Sequence, residues 1–244
     1  MVSASSRMPS GPLPDAPQLT IVLPAYNEEE SIRESVEAIL RGLDGPVEVL
    51  IVENGSTDRT REIAEAIARE HAAVRVLSLP APSYGKALKT GLREAGGDAV
   101  AICNVDFYDL GFVRSAIGLL AGYDAVVGSK ALDPGRDRRP AHRRLITRAF
   151  NLGLALLFGF RGTDTHGLKV FRRETIREVL PRCRTDGEIF DTEMILRCQK
   201  AGLRIREIPV EVIEKRPTRL GLLRRVPSTA RDLVKLFVAL HWGG

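Results

Sequence analysis

Four short polar clusters carry residue types that handle charged ligands: Tyr26-Asn27-Glu28, Glu53-Asn54-Gly55-Ser56-Thr57-Asp58, Tyr84-Gly85-Lys86 and Asn104-Val105-Asp106. Each lies just beyond a run of mostly apolar residues. Carboxylates and amides of this kind can hold ribose hydroxyls, base edges or a hard cation, and a lysine can meet phosphate. The fourth cluster ends the stretch Ala99-Val100-Ala101-Ile102-Cys103. Asn104 and Asp106 therefore read as polar ligands that a strand delivers to a cleft, since residues two apart on an extended chain point the same way. Taken alone, a polar strand end is as readily the start of a turn. The recurrence of the pattern gives it weight.

A repeating unit must position these clusters. Residues 19–24, 47–52 and 74–79 read as strands, and Gly96-Gly97-Asp98 introduces a fourth beginning at Ala99. Between them lie helical patterns: Ile32, Val36, Ile39 and Leu40 after Asn27-Glu28, then residues 59–70, then a helix introduced by Ser83-Tyr84-Gly85-Lys86. Successive β-α units imply a parallel sheet with right-handed crossovers, and ligands gather at the carboxyl ends of its strands. All four clusters then share one rim. A helix over 109–121 and a strand over 125–128 follow, and there the alternation breaks. Arg136, Arg138, Arg139, Arg143, Arg144 and Arg148 crowd ahead of an apolar helix over 149–160. That combination reads either as an element lying in a membrane interface or as a core helix with a solvated basic flank. Beyond it the sequence predicts a strand over 168–171, a short helix over 174–180 and a longer helix from Asp186 that carries Glu188, Asp191 and Glu193. Edge strands over 204–212 and a final amphipathic helix over 228–241 complete the chain.

With 244 residues the chain is long enough for one large α/β domain, and its net charge of +5 favours phosphates or anionic lipid. Nucleic acid is not expected, because the arginine cluster lacks interleaved aromatic residues. Three cysteines, Cys103, Cys183 and Cys198, have neither disulfide parity nor metal-ligand spacing, which fits a reducing cytosol. Residues 1–17 read as a disordered leader, 18–220 as the catalytic-size domain and 221–244 as a helical tail. No apolar run reaches the roughly 18 residues that crossing a bilayer needs.

The order of these motifs resembles glycosyltransferase family 2, and within it the polyprenyl-phosphate sugar synthases of the dolichyl-phosphate mannose synthase type, over about residues 19–220. Ile21-Val22-Leu23-Pro24-Ala25-Tyr26-Asn27-Glu28 is similar to the family's opening motif, and Glu53 stands where the family usually has Asp before Asn-Gly-Ser-Thr-Asp. Tyr84-Gly85-Lys86-Ala87 resembles its glycine-lysine turn. Thr163-Asp164-Thr165-His166-Gly167-Leu168-Lys169-Val170-Phe171-Arg172-Arg173 resembles its Asp-x-x-Ser-Gly-Phe-Lys-Leu-Phe-Arg-Arg stretch, with His166 in the serine place. Phe190-Asp191-Thr192-Glu193 and Arg216-Pro217-Thr218-Arg219 match its later segments.

The resemblance implies an α/β GT-A (Rossmann-like) fold, a mostly parallel sheet flanked by helices, with the amphipathic helix at its C-terminus. It implies that Pro24, Ala25, Tyr26, Glu28, Glu53, Asn54, Ser56, Asp58, Lys86, Asn104, Val105 and Asp106 contact a nucleoside diphosphate sugar, GDP-mannose or a UDP-sugar. Asn104 and Asp106 fall on the family's metal-binding Asp-x-Asp, for Mg2+ or Mn2+. An amide brings less charge to a hard cation, so metal binding is expected to be weak or to lean on the diphosphate. Asp109, the other nearby acid, reads as a helix cap. Asp191, Glu193, Arg139 and Arg143 are the implied catalytic group. The implied reaction is inverting transfer, with metal and cationic side chains offsetting charge on the departing diphosphate. A polyprenyl phosphate acceptor arrives ionised and needs no strong base; a hydroxyl acceptor needs one, and Asp191 is the candidate. The expected location is cytoplasmic, peripheral at the inner face of the membrane. Two other readings stay open: a soluble transferase acting on a small natural product, and a nucleotide-binding pseudoenzyme that has lost an aspartate at position 104.

Overall fold

The computed structural model describes residues 18–133, 135, 140–210 and 226–241, without the side chains of 143, 226–230 and 241. Its centre is a sheet of seven strands: β1 (Leu19–Ala25), β2 (Val47–Glu53), β3 (Val74–Ser78), β4 (Ala99–Ile102), β5 (Ala125–Ser129), β6 (Lys169–Arg172) and β7 (Ile205–Pro209). Their order is β3-β2-β1-β4-β6-β5-β7. The first four strands are parallel, as the successive β-α units require. β6 runs against both its neighbours, with Lys169 paired to Ile102 on one side and Val127 on the other.

Among the described residues eight α-helices flank the sheet: α1 (Ile32–Gly42), α2 (Thr60–Glu70), α3 (Tyr84–Glu94), α4 (Leu110–Leu119), α5 (Ala141–Phe158), α6 (Arg173–Val179), α7 (Phe190–Lys200) and α8 (Val226–His241). Because successive strand residues face opposite ways, β1 feeds two cores. Ile21 and Leu23 pack with Ile32, Val36, Ile67 and Phe112 of α1, α2 and α4. Val22 packs with Leu88 of α3, Leu154 of α5, Met194 of α7 and Leu236 of α8. Strands covered on both faces read as continuous apolar runs, which is why β1, β2 and β4 are so legible. Cys103 lies in the core, and burial pushes its thiol up to about 12.

Three expectations change. β4 ends at Ile102 rather than running on to Asp106. Asn104 and Phe107 exchange backbone hydrogen bonds of 3.0 and 3.2 Å, so residues 104–107 form a tight turn and Val105 points down into the core. The helix expected over 149–160 is the second half of α5, which starts just after Pro140; the arginines at 143, 144 and 148 belong to the helix itself. The acidic helix begins at Phe190, leaving residues 186–189 as its approach. The expected leader, Arg139 and the closing Arg216–Arg219 segment lie outside the described residues.

Candidate active site

A cleft opens at the carboxyl ends of β1, β2 and β4. It is lined by Pro24, Ala25, Tyr26, Glu28, Asn54, Tyr84, Asn104, Val105 and Asp106. Eight of these nine are sequence-predicted; Tyr84 lay in a predicted cluster but was assigned no contact. The β1–α1 and β2–α2 loops brace each other. Asn27 adopts φ +54°, a left-handed conformation that asparagine tolerates better than most residues, and its Oδ1 accepts from Thr57 N at 2.9 Å.

The remaining members of these clusters build the rim rather than line it. Glu53 is buried and its Oε1 accepts from Ser56 N at 2.5 Å, while Ser56 Oγ accepts from Asn27 N at 3.1 Å. Asp58 accepts from Thr60 N, Thr60 Oγ1 and Glu29 N, and against the cost of burial these bonds lower its pKa. Lys86 is exposed on the first turn of α3 and is not part of the cleft wall. Glu53, Ser56 and Asp58 thus brace the loops, and none of the four is among the residues that line the cleft.

Asn104 and Asp106 do meet at the cleft, through the turn instead of an extended strand. Asp109 is committed to capping α4, accepting from Phe112 N at 2.9 Å. Among the described residues no group of three His, Cys, Asp or Glu side chains could hold a metal ion. Asn104 and Asp106 bring one amide and one carboxylate, and Mg2+ or Mn2+ takes about six ligands. These two residues fit such a cation only as part of a set completed by ligand oxygens. Bound that way, the metal would offset negative charge on a diphosphate.

Beside the turn, on the β6 side, lies a buried polar group. Asp191 opens α7; its Oδ1 stands 3.0 Å from Lys169 Nζ and its Oδ2 accepts from the Tyr84 hydroxyl at 3.1 Å. Burial first, then the Asp191 charge, push the Tyr84 phenol well above its ordinary value, so the hydroxyl keeps its proton and donates. Lys169 was not foreseen as a site residue. A lysine in Leu168-Lys169-Val170-Phe171 looks like the solvent side of an alternating strand, yet it is 1% exposed. His166 keeps an exposed edge, and its ring packs tilted against Phe150 of α5 with centroids 5.6 Å apart. Crowding by protein lowers its pKa against the opposing pull of Asp191.

Glu193 does not face this group. It is fully buried, and accepts from Arg184 N, Thr185 N and Thr185 Oγ1 as well as Arg197 Nε. Its carboxylate oxygens are occupied by the loop ahead of α7 and by Arg197. Arg143 lies within α5.

A twisted α/β sheet with its polar loops gathered over β1, β2 and β4, and a reversed strand beside β4, is the architecture of a GT-A nucleotide-sugar transferase. Comparison with known proteins narrows this. The profile of glycosyl transferase family 2 matches residues 20–180, and the chain belongs to that family. Among its relatives, glycosyltransferase AglD of Haloferax volcanii is 30% identical over 242 residues, covering 95% of this chain and 39% of AglD. The chain therefore spans well under half of that relative. A dolichyl-phosphate beta-glucosyltransferase of Trichomonas vaginalis is 26% identical over 245 residues, 92% of this chain and 72% of the relative. Among solved structures, glucosyl-3-phosphoglycerate synthase from Mycobacterium tuberculosis in complex with UDP superposes with a TM-score of 0.67 at 24% identity, covering 91% of this chain and 79% of that one. At that identity the likeness speaks for the fold alone.

Proposed function

We propose that this glycosyltransferase moves a sugar, with inversion, from a nucleoside diphosphate sugar (GDP-mannose or a UDP-sugar) to a polyprenyl phosphate at a membrane surface. The observation that carries the acceptor class is α5. Its Phe150 lies against His166 and its Asn151 Nδ2 donates to Thr163 O, so the helix is tied to the edge of the cleft. Its other face exposes Leu145 at 68%, Leu152 at 61% and Leu156 at 78%, and the helix contains no acidic residue. Phe158 meets Phe237 of α8, a helix that itself exposes Val234 and Val238. No helix among the described residues is long and apolar enough to cross a membrane. An apolar face with basic residues and no acids suits the plane of an anionic bilayer.

The nucleoside would lie over β1 and β2, against Pro24, Tyr26 and Asn54, with its diphosphate at the Asn104–Asp106 turn. That order puts the sugar toward β6. Asp191 there is already engaged by Lys169 and the Tyr84 hydroxyl, so it is not free to serve as a base. An acceptor that arrives ionised removes the need for one. The name of one relative, dolichyl-phosphate beta-glucosyltransferase, supports this acceptor class. The neutral amide of Asn104 also supports a second reading, nucleotide-sugar binding without turnover.

The deciding measurement offers GDP-mannose and a panel of UDP-sugars with undecaprenyl phosphate, with and without Mg2+ or Mn2+. Transfer to the lipid by one donor is expected, stimulated by vesicles containing anionic lipid. Release of sugar, or transfer only to a soluble hydroxyl, refutes the lipid acceptor; tight binding of a donor with no turnover under any condition selects the second reading.

A further inference from the structure

Lys169 begins β6 at the same rim as the cleft, between Ile102 of β4 and Val127 of β5. A buried ammonium is costly unless it is paired. Here Nζ donates to Gly167 O at 2.7 Å and faces Asp191 Oδ1 at 3.0 Å. The contact with Asp191 is ionic rather than a directed hydrogen bond, since buried Oδ1 receives no aligned donor. Replacing such a pair by packed apolar side chains is often neutral or stabilising, so fold stability alone does not account for it.

A chain of contacts runs from the pair to the cleft. Asp191 Oδ2 takes the Tyr84 hydroxyl, and the Tyr84 ring is part of the cleft wall. The backbone beside it is held as well, because Ser83 N donates to Asn54 Oδ1 at 2.7 Å. Tyr84 is thus pinned at both ends. We propose that Lys169 is a positioning residue: it clamps the Asp191 carboxylate, which in turn fixes Tyr84 as the inner wall of the cleft on the side where the donor's sugar lies. The proposal rests on the nucleotide-sugar reading above.

Lys169→Met, Lys169→Gln and Tyr84→Phe test it. Titration calorimetry on folded protein compares a nucleoside diphosphate with the matching nucleotide sugar, and turnover is measured alongside. Expected is unchanged affinity for the diphosphate, with loss of the extra affinity conferred by the sugar and a fall in kcat of about 10²-fold for Lys169→Met, the scale of a misplaced reacting group. Lys169→Gln, which can still donate to Gly167 O, falls between. Equal weakening of both ligands marks a merely structural pair and overturns the proposal. If Lys169→Met does not fold, Tyr84→Phe decides, because it removes only the hydroxyl link; wild-type sugar discrimination and kcat in that variant overturn the idea. A wild-type protein that binds neither ligand sinks the donor reading and the proposal with it, a result distinct from any of these.

Discussion

Replacing Glu193 by Ala separates a loop clasp from a catalytic acid. The carboxylate is 0% exposed and accepts from Arg184 N at 2.8 Å, Thr185 N at 2.7 Å, Thr185 Oγ1 at 2.6 Å and Arg197 Nε at 2.8 Å. Alanine would strand two backbone amides and a hydroxyl, and take the charge partner from Arg197, whose side chain is only 11% exposed. Breaking one side of a buried charged network costs about 3–5 kcal/mol. At about 2–4 °C per kcal/mol for a chain of this size, a loss near 4 kcal/mol lowers Tm by about 8–16 °C. Glu193→Gln keeps the volume and one carbonyl oxygen and should lose about half as much. Thermal and urea unfolding read the stability, and hydrogen exchange at the Arg184 and Thr185 amides should speed up in both variants. Turnover per folded molecule should stay within a few-fold of wild type. If Glu193→Ala melts with the wild type while turnover collapses, the carboxylate faces reactants and the structural assignment is wrong.

Glu48 gives a pH test: burial works to raise its pKa, but hydrogen bonds from Thr20, Gly96 N and Arg75 outweigh it and hold the carboxyl below its ordinary value. Its stabilisation is therefore present at neutral pH and lost as pH falls through that lowered pKa, so the gap between wild type and Glu48→Gln in urea unfolding should be full at pH 7 and shrink as pH falls below the ordinary carboxylate range. Gly167→Ala should fail to yield folded protein, because its Cβ would stand 1.8 Å from Gly128 O; a near-wild-type melting curve would contradict the β5–β6 register. Asn104→Asp should tighten Mn2+ binding in the presence of a nucleoside diphosphate, by about tenfold for one added charge on a hard cation, and calorimetry showing no change would remove residue 104 from the cation's ligand set. Leu156→Glu on the exposed side of α5 should abolish sedimentation with anionic vesicles while leaving Tm within about 1 °C, as expected for a surface change.

The β-α units were legible because their local and global signals agree. Apolar runs of strand length alternate with helical spacing, and the polar clusters between them fall on one rim. The sequence was misleading where an apolar residue had another reason to be apolar. Val105 continues the run from Ala99, yet it is buried because the 104–107 turn folds it under the rim and not because the strand extends that far. In α5 the arginines resembled a solvated flank, although Pro140 followed directly by good helix formers marks a start at that point. Asp191 and Glu193 sit two residues apart in one acidic motif. Only the packing of the 184–185 loop against one, and of Lys169 and Tyr84 against the other, tells them apart.

The reversed strand explains why Lys169, though it falls inside a family-like stretch, was not read as a site residue. A parallel strand contributes to this rim through the loop after its last residue, which is where sequence reasoning looks. β6 runs the other way, so its first residue sits level with Ile102, the last residue of β4, and the segment entering it carries Asp164 and His166 to the rim. Gly167 permits the entry, since any side chain there would strike Gly128 O, and Gly128 N in turn donates to Leu168 O at 2.8 Å. Lys169, placed first on that strand, is buried and connects to the cleft through Asp191 and Tyr84. Charge at the β6 end of the rim is thereby fixed by the topology of the sheet, while the end over β1 and β2 is fixed by loops that the sequence spells out.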